Sequence, residues 1–134
     1  MIDSHCHLAD ETFAQDLQAV ITRTQEAGLE RVMVILESGN AQEEAQAASV
    51  HGLWPEVRVA IGVHPHHSKA WAGNAPGAAS SVREQIGRTP YARAVGEIGL
   101  DYHYDFSPAD VQQAGFRAQR SEEHTSELQS HHDL

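Results

Sequence analysis

Arg31-Val32-Met33-Val34-Ile35-Leu36 is the stretch that decides the fold. It is a short, nearly continuous apolar run, of the type buried on both faces of a parallel sheet covered by helices. Three further strand-like stretches flank it, each followed by a stretch of helical character. Upstream, Met1 to His7 reads as a first strand. Asp10 then caps a helix in which Phe13, Leu17, Val20, Ile21 and Thr24 recur at helical spacing, and Gly28 closes it.

Downstream, Asn40 with Glu43 three residues later opens a helix as an approximate capping box, and Ala41, Ala45 and Ala48 allow close packing. Val57 to Val63 is a third strand ending in His64-Pro65-His66-His67. Ser68 to Ser81 is rich in Gly, Ala, Ser and Pro, which predicts a loop before a short helix over Val82 to Ile86. Arg93 to Ile98 is a fourth strand. Ser107-Pro108 begins a last helix, which the chain abandons near Gln119. Strands alternating with helices, and no two-residue hairpin turns, predict a parallel α/β sheet.

The histidine and carboxylate clusters all fall at strand C-terminal ends, where active sites of barrels and open α/β sheets gather. Side chains alternate along a strand, so His5 and His7 project together and Cys6 the other way. Two such imidazoles can grip one divalent metal, and Glu97 from another strand can complete the floor of the site. Glu97, between glycines and beside Val95 and Ile98, emerges from a strand read as buried. A carboxylate there must be paired, metal-bound or protonated, because a lone buried charge is costly. The plainer reading is a salt bridge to an arginine. Gly96 and Gly99 remove bulk beside Glu97 and let a metal or substrate approach. Asp3, one step before His5 on the same face, supports the fold or orients a ligand, and Cys6 serves as a small core hydrophobe. His51 and His67 read as surface residues.

Three blocks carry a resemblance: Asp3-Ser4-His5-Cys6-His7-Leu8, Ile61-Gly62-Val63-His64-Pro65-His66 and Gly96-Glu97-Ile98-Gly99-Leu100-Asp101-Tyr102. In that order and spacing, from Met1 to about Gln119, the chain resembles the TatD family of metal-dependent hydrolases, which act as deoxyribonucleases. The resemblance implies the N-terminal half of a TIM-type (β/α)8 barrel, since a whole barrel takes about 250 residues. It implies two divalent metal ions (Mg, Mn or Zn), with His5, His7 and Glu97 as ligands and Glu97 bridging. It also implies phosphodiester hydrolysis of DNA by metal-activated water.

By the same resemblance, His64 lies in the catalytic cleft, with a catalytic role alongside Glu97, and His66 lies near the bound phosphate. An imidazole there can donate a hydrogen bond to phosphate or relay a proton. Asp101 lies in the loop where substrate contacts are common, or braces that loop by local hydrogen bonds. The later strands, which in the family supply two further histidines and an aspartate, are not in this chain. The fragment alone is therefore expected to be inactive and poorly stable.

Residues 120–134 do not continue the pattern. They are polar, without apolar periodicity, and are expected to be a disordered tail. Arg120 to Ser130 looks like the conceptual translation of a sequencing adapter, which would make the segment non-native; a natural His-rich metal-binding tail is the alternative. The domain reading is 1–119 for the half-barrel and 120–134 for the tail.

The net charge is −10, from nine Lys and Arg against nineteen Asp and Glu. That balance argues against sequence-independent nucleic-acid binding through a basic surface. It does not argue against a nuclease whose metals meet the phosphate. One cysteine allows no internal disulfide and suits a reducing cytosol. No apolar run approaches a membrane span and no leader is seen, so the expectation is a cytoplasmic protein with DNA or another phosphodiester as partner and no membrane. Three other readings stand beside this one. An amidohydrolase-type enzyme also opens with His-x-His but often places a modified lysine on its fourth strand. A PHP-type phosphoesterase often follows the opening with Ser-Asp-Gly, not seen here. The third is a non-catalytic product, either a truncated chain or a half-barrel that binds a partner by its edge.

Overall fold

The computed structural model describes residues 1–132, with side chains as far as Ser121. The Arg31 run forms β2 (Arg31–Glu37). It pairs in parallel on one side with β1 (Ile2–Cys6) and on the other with β3 (Arg58–Gly62), which pairs in parallel with β4 (Ala92–Val95). The sheet order is therefore β1-β2-β3-β4, as strand–helix units laid down in chain order produce. The helices are α1 (Leu17–Glu26), α2 (Ala41–Leu53), α3 (Ala75–Gly87) and α4 (Ala109–His132). This is a parallel α/β fold, consistent with the front half of a (β/α)8 barrel.

The pattern of β2 explains why the sheet forms. Val32, Val34 and Leu36 are buried while Met33, Ile35 and Glu37 are only partly so. The first set joins Val59 and Ile61 of β3, Leu17 and Ile21 of α1, and Ala47 and Val50 of α2 in one apolar cluster. Fully burying an aliphatic side chain of this size is worth about 1.5–3 kcal/mol, so this helix-covered face is where most of the stability resides.

Several local expectations are corrected. Asp10 caps a 3-10 helix, Glu11–Phe13, by accepting from Thr12 N at 2.8 Å, and α1 starts only at Leu17. At α2, Asn40 does accept from Glu43 N (3.1 Å), but Glu43 passes over the Asn40 amide to accept from Glu37 N at 2.6 Å. Residues 68–81 are not a loop. A 3-10 helix, Pro65–Trp71, is followed by α3 beginning at Ala75, whose cap Asn74 accepts from Gly77 N at 3.2 Å. The Asn-Ala-Pro start and the buried Ala78, Ala79 and Val82 are the helix signal hidden in that small-residue stretch. The fourth strand stops at Val95 rather than Ile98. The backbone of α4 runs past Gln119 to His132 as helix, where irregular chain was expected; Asp133 and Leu134 lie outside the described residues. A helical backbone does not bear on the origin of residues 120–134.

Candidate active site

β1 carries a bulge. Asp3 sits opposite Val32 and Cys6 opposite Val34, three steps of β1 against two of β2. The Asp3 carboxylate accepts from His5 N at 3.0 Å within that bulge. Counting alternate faces from Asp3 therefore does not reach His5, which corrects the placement of Asp3 on the same face, and its role here is to brace the backbone of His5. From His5 onward the alternation holds. The His5 and His7 rings meet edge to face with centroids 5.1 Å apart and both residues are exposed, while Cys6 between them packs partly against the core. Burial pushes the Cys6 thiol up from its ordinary value.

Glu97 stands two residues beyond β4, in a segment laid directly against β3. Gly96 N donates to Ile61 O at 3.0 Å, and a β-carbon on Gly62 would lie 2.8 Å from Glu97 O. Only glycine at 62 lets these backbones approach. The Glu97 side chain is 42% exposed, so the premise of a fully buried carboxylate is not met. Its ion-pair contacts among the described residues are histidines rather than an arginine. His5 Nε2 lies 3.6 Å from one carboxylate oxygen and His64 Nε2 lies 3.6 Å from the other.

His64 is fixed by two bonds. It caps the 3-10 helix Pro65–Trp71, its Nδ1 accepting from His66 N at 3.0 Å, and its own backbone N donates to Glu37 Oε2 at 3.1 Å. A neutral imidazole with Nδ1 accepting carries its proton on Nε2, the nitrogen that faces Glu97. Burial lowers the His64 pKa below its ordinary value, outweighing the opposite pull of the Glu97 charge. The ring is thus held as a neutral Nε2–H donor.

Glu37 is a residue that sequence reasoning missed. It ends β2, accepts the His64 amide, and its Oε1 lies 3.2 Å from His67 Nδ1, so the largely exposed His67 pairs across the rim. Burial raises the Glu37 pKa despite these partners. The signal available was a carboxylate closing an apolar strand.

His66 Nε2 meets Asp101 Oδ2 at 2.6 Å, and that bond, followed by the His103 and Tyr104 amides, holds the Asp101 carboxyl below its ordinary value. Asp101 thus braces its loop, the second of the two sequence readings, and also pairs with a histidine of the rim.

Four buried glutamines, also missed, hold the strand-end loops by their amides. Gln46 of α2 donates to Leu8 O (2.7 Å) and Asp10 O (2.6 Å) after β1. Gln85 of α3 accepts from Gly39 N (3.0 Å) after β2. Gln119 of α4 accepts from Val63 N (2.7 Å) and donates to Val63 O (3.2 Å) after β3. Gln112, two turns earlier on the same face of α4, accepts from Asp101 N (2.8 Å) and donates to Asp101 O (3.0 Å) after β4. All four residues are buried, Gln85, Gln112 and Gln119 almost completely. The Gln112 and Gln119 amides each copy the donor–acceptor pair of a neighbouring strand, and so hold backbone that has left the sheet.

Among the described residues no three His, Cys, Asp or Glu converge on a single metal-sized point; the convergence is pairwise, about Glu97. No helix among them is long and apolar enough to cross a membrane.

The model of the family described as TatD related DNase matches residues 2–132. Proteins named 3'-5' ssDNA/RNA exonuclease TatD from Erwinia tasmaniensis and Edwardsiella piscicida are each 35% identical over 120 residues, covering 89% of this chain and 44% of theirs. One of the same name from Salmonella typhimurium is 32% identical over 119 residues, with the same coverage. The chain thus spans under half the length of these relatives. With the family model matching nearly its whole length, and His5, His64, His66, Glu97 and Asp101 gathered at one strand-end rim, the chain belongs to the TatD related DNase family.

Proposed function

We propose that this chain supplies the front half of the active site of a metal-dependent nuclease that hydrolyses phosphodiester bonds of DNA. The observation that carries the reading is Glu97, with one carboxylate oxygen 3.6 Å from His5 Nε2 and the other 3.6 Å from His64 Nε2. Two ligands on a tetrahedral ion with bonds of 2.0–2.2 Å are about 3.4 Å apart, so the His5 nitrogen and the Glu97 oxygen suit a shared divalent cation. His7, edge-on to His5, is the third donor of this half. Divalent ions held by His5, His7 and Glu97 would supply a bound water of lowered pKa and neutralise phosphate charge.

The chain's own residues then have distinct tasks. His5, His7 and Glu97 hold cations. His64, its proton fixed on Nε2, donates to an oxygen in the cleft. His66, oriented by Asp101, presents its ring to the phosphate. Names of the relatives extend the substrate to single-stranded DNA or RNA degraded from the 3' end. The lone Cys6 suits a reducing, cytoplasmic setting.

The test is DNA cleavage by the 134-residue chain, and by the chain joined to a family-type second half, with magnesium, manganese or zinc and with chelator. The joined protein should cleave and lose at least about 100-fold in rate on His5→Ala or Glu97→Gln, a loss in the range of a removed catalytic group. The chain alone should be inactive. Cleavage by the joined protein that survives both chelator and Glu97→Gln would refute the reading.

A further inference from the structure

The loop between β4 and α4 carries three exposed aromatic rings, Tyr102, Tyr104 and Phe106, at 58%, 52% and 54% accessibility. Exposed aromatics on slack chain would mean little, but this loop is built. Its first residues are held by Gln112, which bonds both the N–H and the C=O of Asp101. The Asp101 carboxylate binds His66 and accepts from the His103 and Tyr104 amides. Its last residue, Ser107, is buried, accepting from Lys69 N at 3.0 Å and donating to His66 O at 3.1 Å. Between these anchors the Tyr104 and Phe106 rings lie nearly parallel, with planes 20° apart and centroids at 5.5 Å. Both meet the His66 ring in T-shaped pairs, with centroids at 4.9 Å for Phe106 and 5.7 Å for Tyr104.

From this arrangement we infer that Tyr104 and Phe106 form a stacking platform for the unpaired nucleobases of a single-stranded substrate whose phosphate meets His66. The inference rests on the nuclease reading and adds to it the part of the substrate that is gripped. Charge points the same way. Residues 99–107 contain no Lys or Arg, and the chain as a whole is at −10, so this loop cannot hold a strand by neutralising its backbone. Stacking is the sequence-tolerant alternative, since every base offers a π-face and an unpaired one offers it freely. A loop fixed in advance also avoids the cost of ordering rings on binding.

The experiment measures binding of two labelled oligomers of equal length to the 134-residue chain, by fluorescence anisotropy in magnesium at fixed salt. One is oligothymidylate and the other an abasic strand with the same phosphates. Oligothymidylate should bind tighter. The Tyr104→Ala/Phe106→Ala double variant should weaken it by about 5- to 150-fold and leave the abasic strand unchanged. Phe106→Trp should keep the preference, while Phe106→Leu, which preserves apolar bulk, should lose most of it. Equal binding of the two strands by the unaltered chain, or a double variant that still prefers bases, overturns the platform. So does concentration-dependent self-association that the double variant abolishes, because the rings would then be a contact between copies. If the platform alone is wrong, cleavage by the joined protein survives; if neither strand binds and nothing is cleaved, the nuclease reading falls with it.

Discussion

On the helix-covered face of the sheet, Val34, Leu36, Val59 and Ile61 are all but fully buried against α1 and α2, in one continuous apolar cluster. Further along the same strands, at the rim, the chain is held by directional bonds from Gln46, Gln85, Gln112 and Gln119, and by Glu37 on the His64 amide. Apolar burial is large and tolerant of direction. A two-point amide contact contributes less, but it fixes backbone atoms in place. The face thus sets how stable the protein is, and the rim sets where His64 and Asp101 stand. The two regions should respond differently to mutation and to pH.

The largest effect is expected on the face. Leu36→Ala should cost about 2–5 kcal/mol, read as a lower denaturant midpoint, with the rim in the surviving folded fraction unchanged by NMR. A cost under about 1 kcal/mol would mean that this cluster is not the main source of stability.

Gln119→Leu should cost less, roughly 1–3 kcal/mol, because it leaves the N–H and C=O of Val63 buried and unpaired. The amide resonances of Val63 and His64 should shift more than those of Val34. Shifts spread evenly over the protein would break the distinction between face and rim.

Two rim carboxylates should titrate with opposite signs. Burial raises the Glu37 pKa above 4.5, so the folded state takes up a proton more readily than the unfolded chain. Stability should therefore fall as pH rises from 4.5 to the raised value, and Glu37→Gln should flatten that slope. An unchanged slope in the variant, measured by urea unfolding at each pH, would exclude Glu37 as its source.

The smallest effect belongs to Asp101, whose pKa is depressed below 3.8 chiefly by the bond from His66. Its contribution is complete above 3.8 and is lost only as pH falls through the lower folded value. Asp101→Asn should flatten the loss of stability across that acid window, measured by urea unfolding at each pH. An unchanged slope there would show that Asp101 is not its source.

A nearly continuous apolar run makes β2 legible, although the structure fully buries only Val32, Val34 and Leu36 of it and leaves Met33 and Ile35 partly exposed. Residues 68–81 were misread because small residues and proline signal a loop in isolation, although Ala78, Ala79 and Val82 give the stretch an apolar stripe once β3 packs against it. The candidate site is legible as a set of histidines and acids at or just beyond strand ends. The glutamines were not, since Gln has no periodic signature and its worth depends on a backbone partner as many as 56 residues away.

What the sequence determined by itself was the order of strands and helices, because apolar spacing is a local property, and the placing of His5, His7, His64, His66, Glu97 and Asp101 at strand ends. Tertiary structure decided the rest. It inserted the β1 bulge that removes Asp3 from the face of His5, and it brought Glu97 within 3.6 Å of both His5 and His64. It also oriented the imidazole of His64 through a backbone amide. Each of these depends on distances between segments far apart in the chain, which only packing of one strand against the next can set.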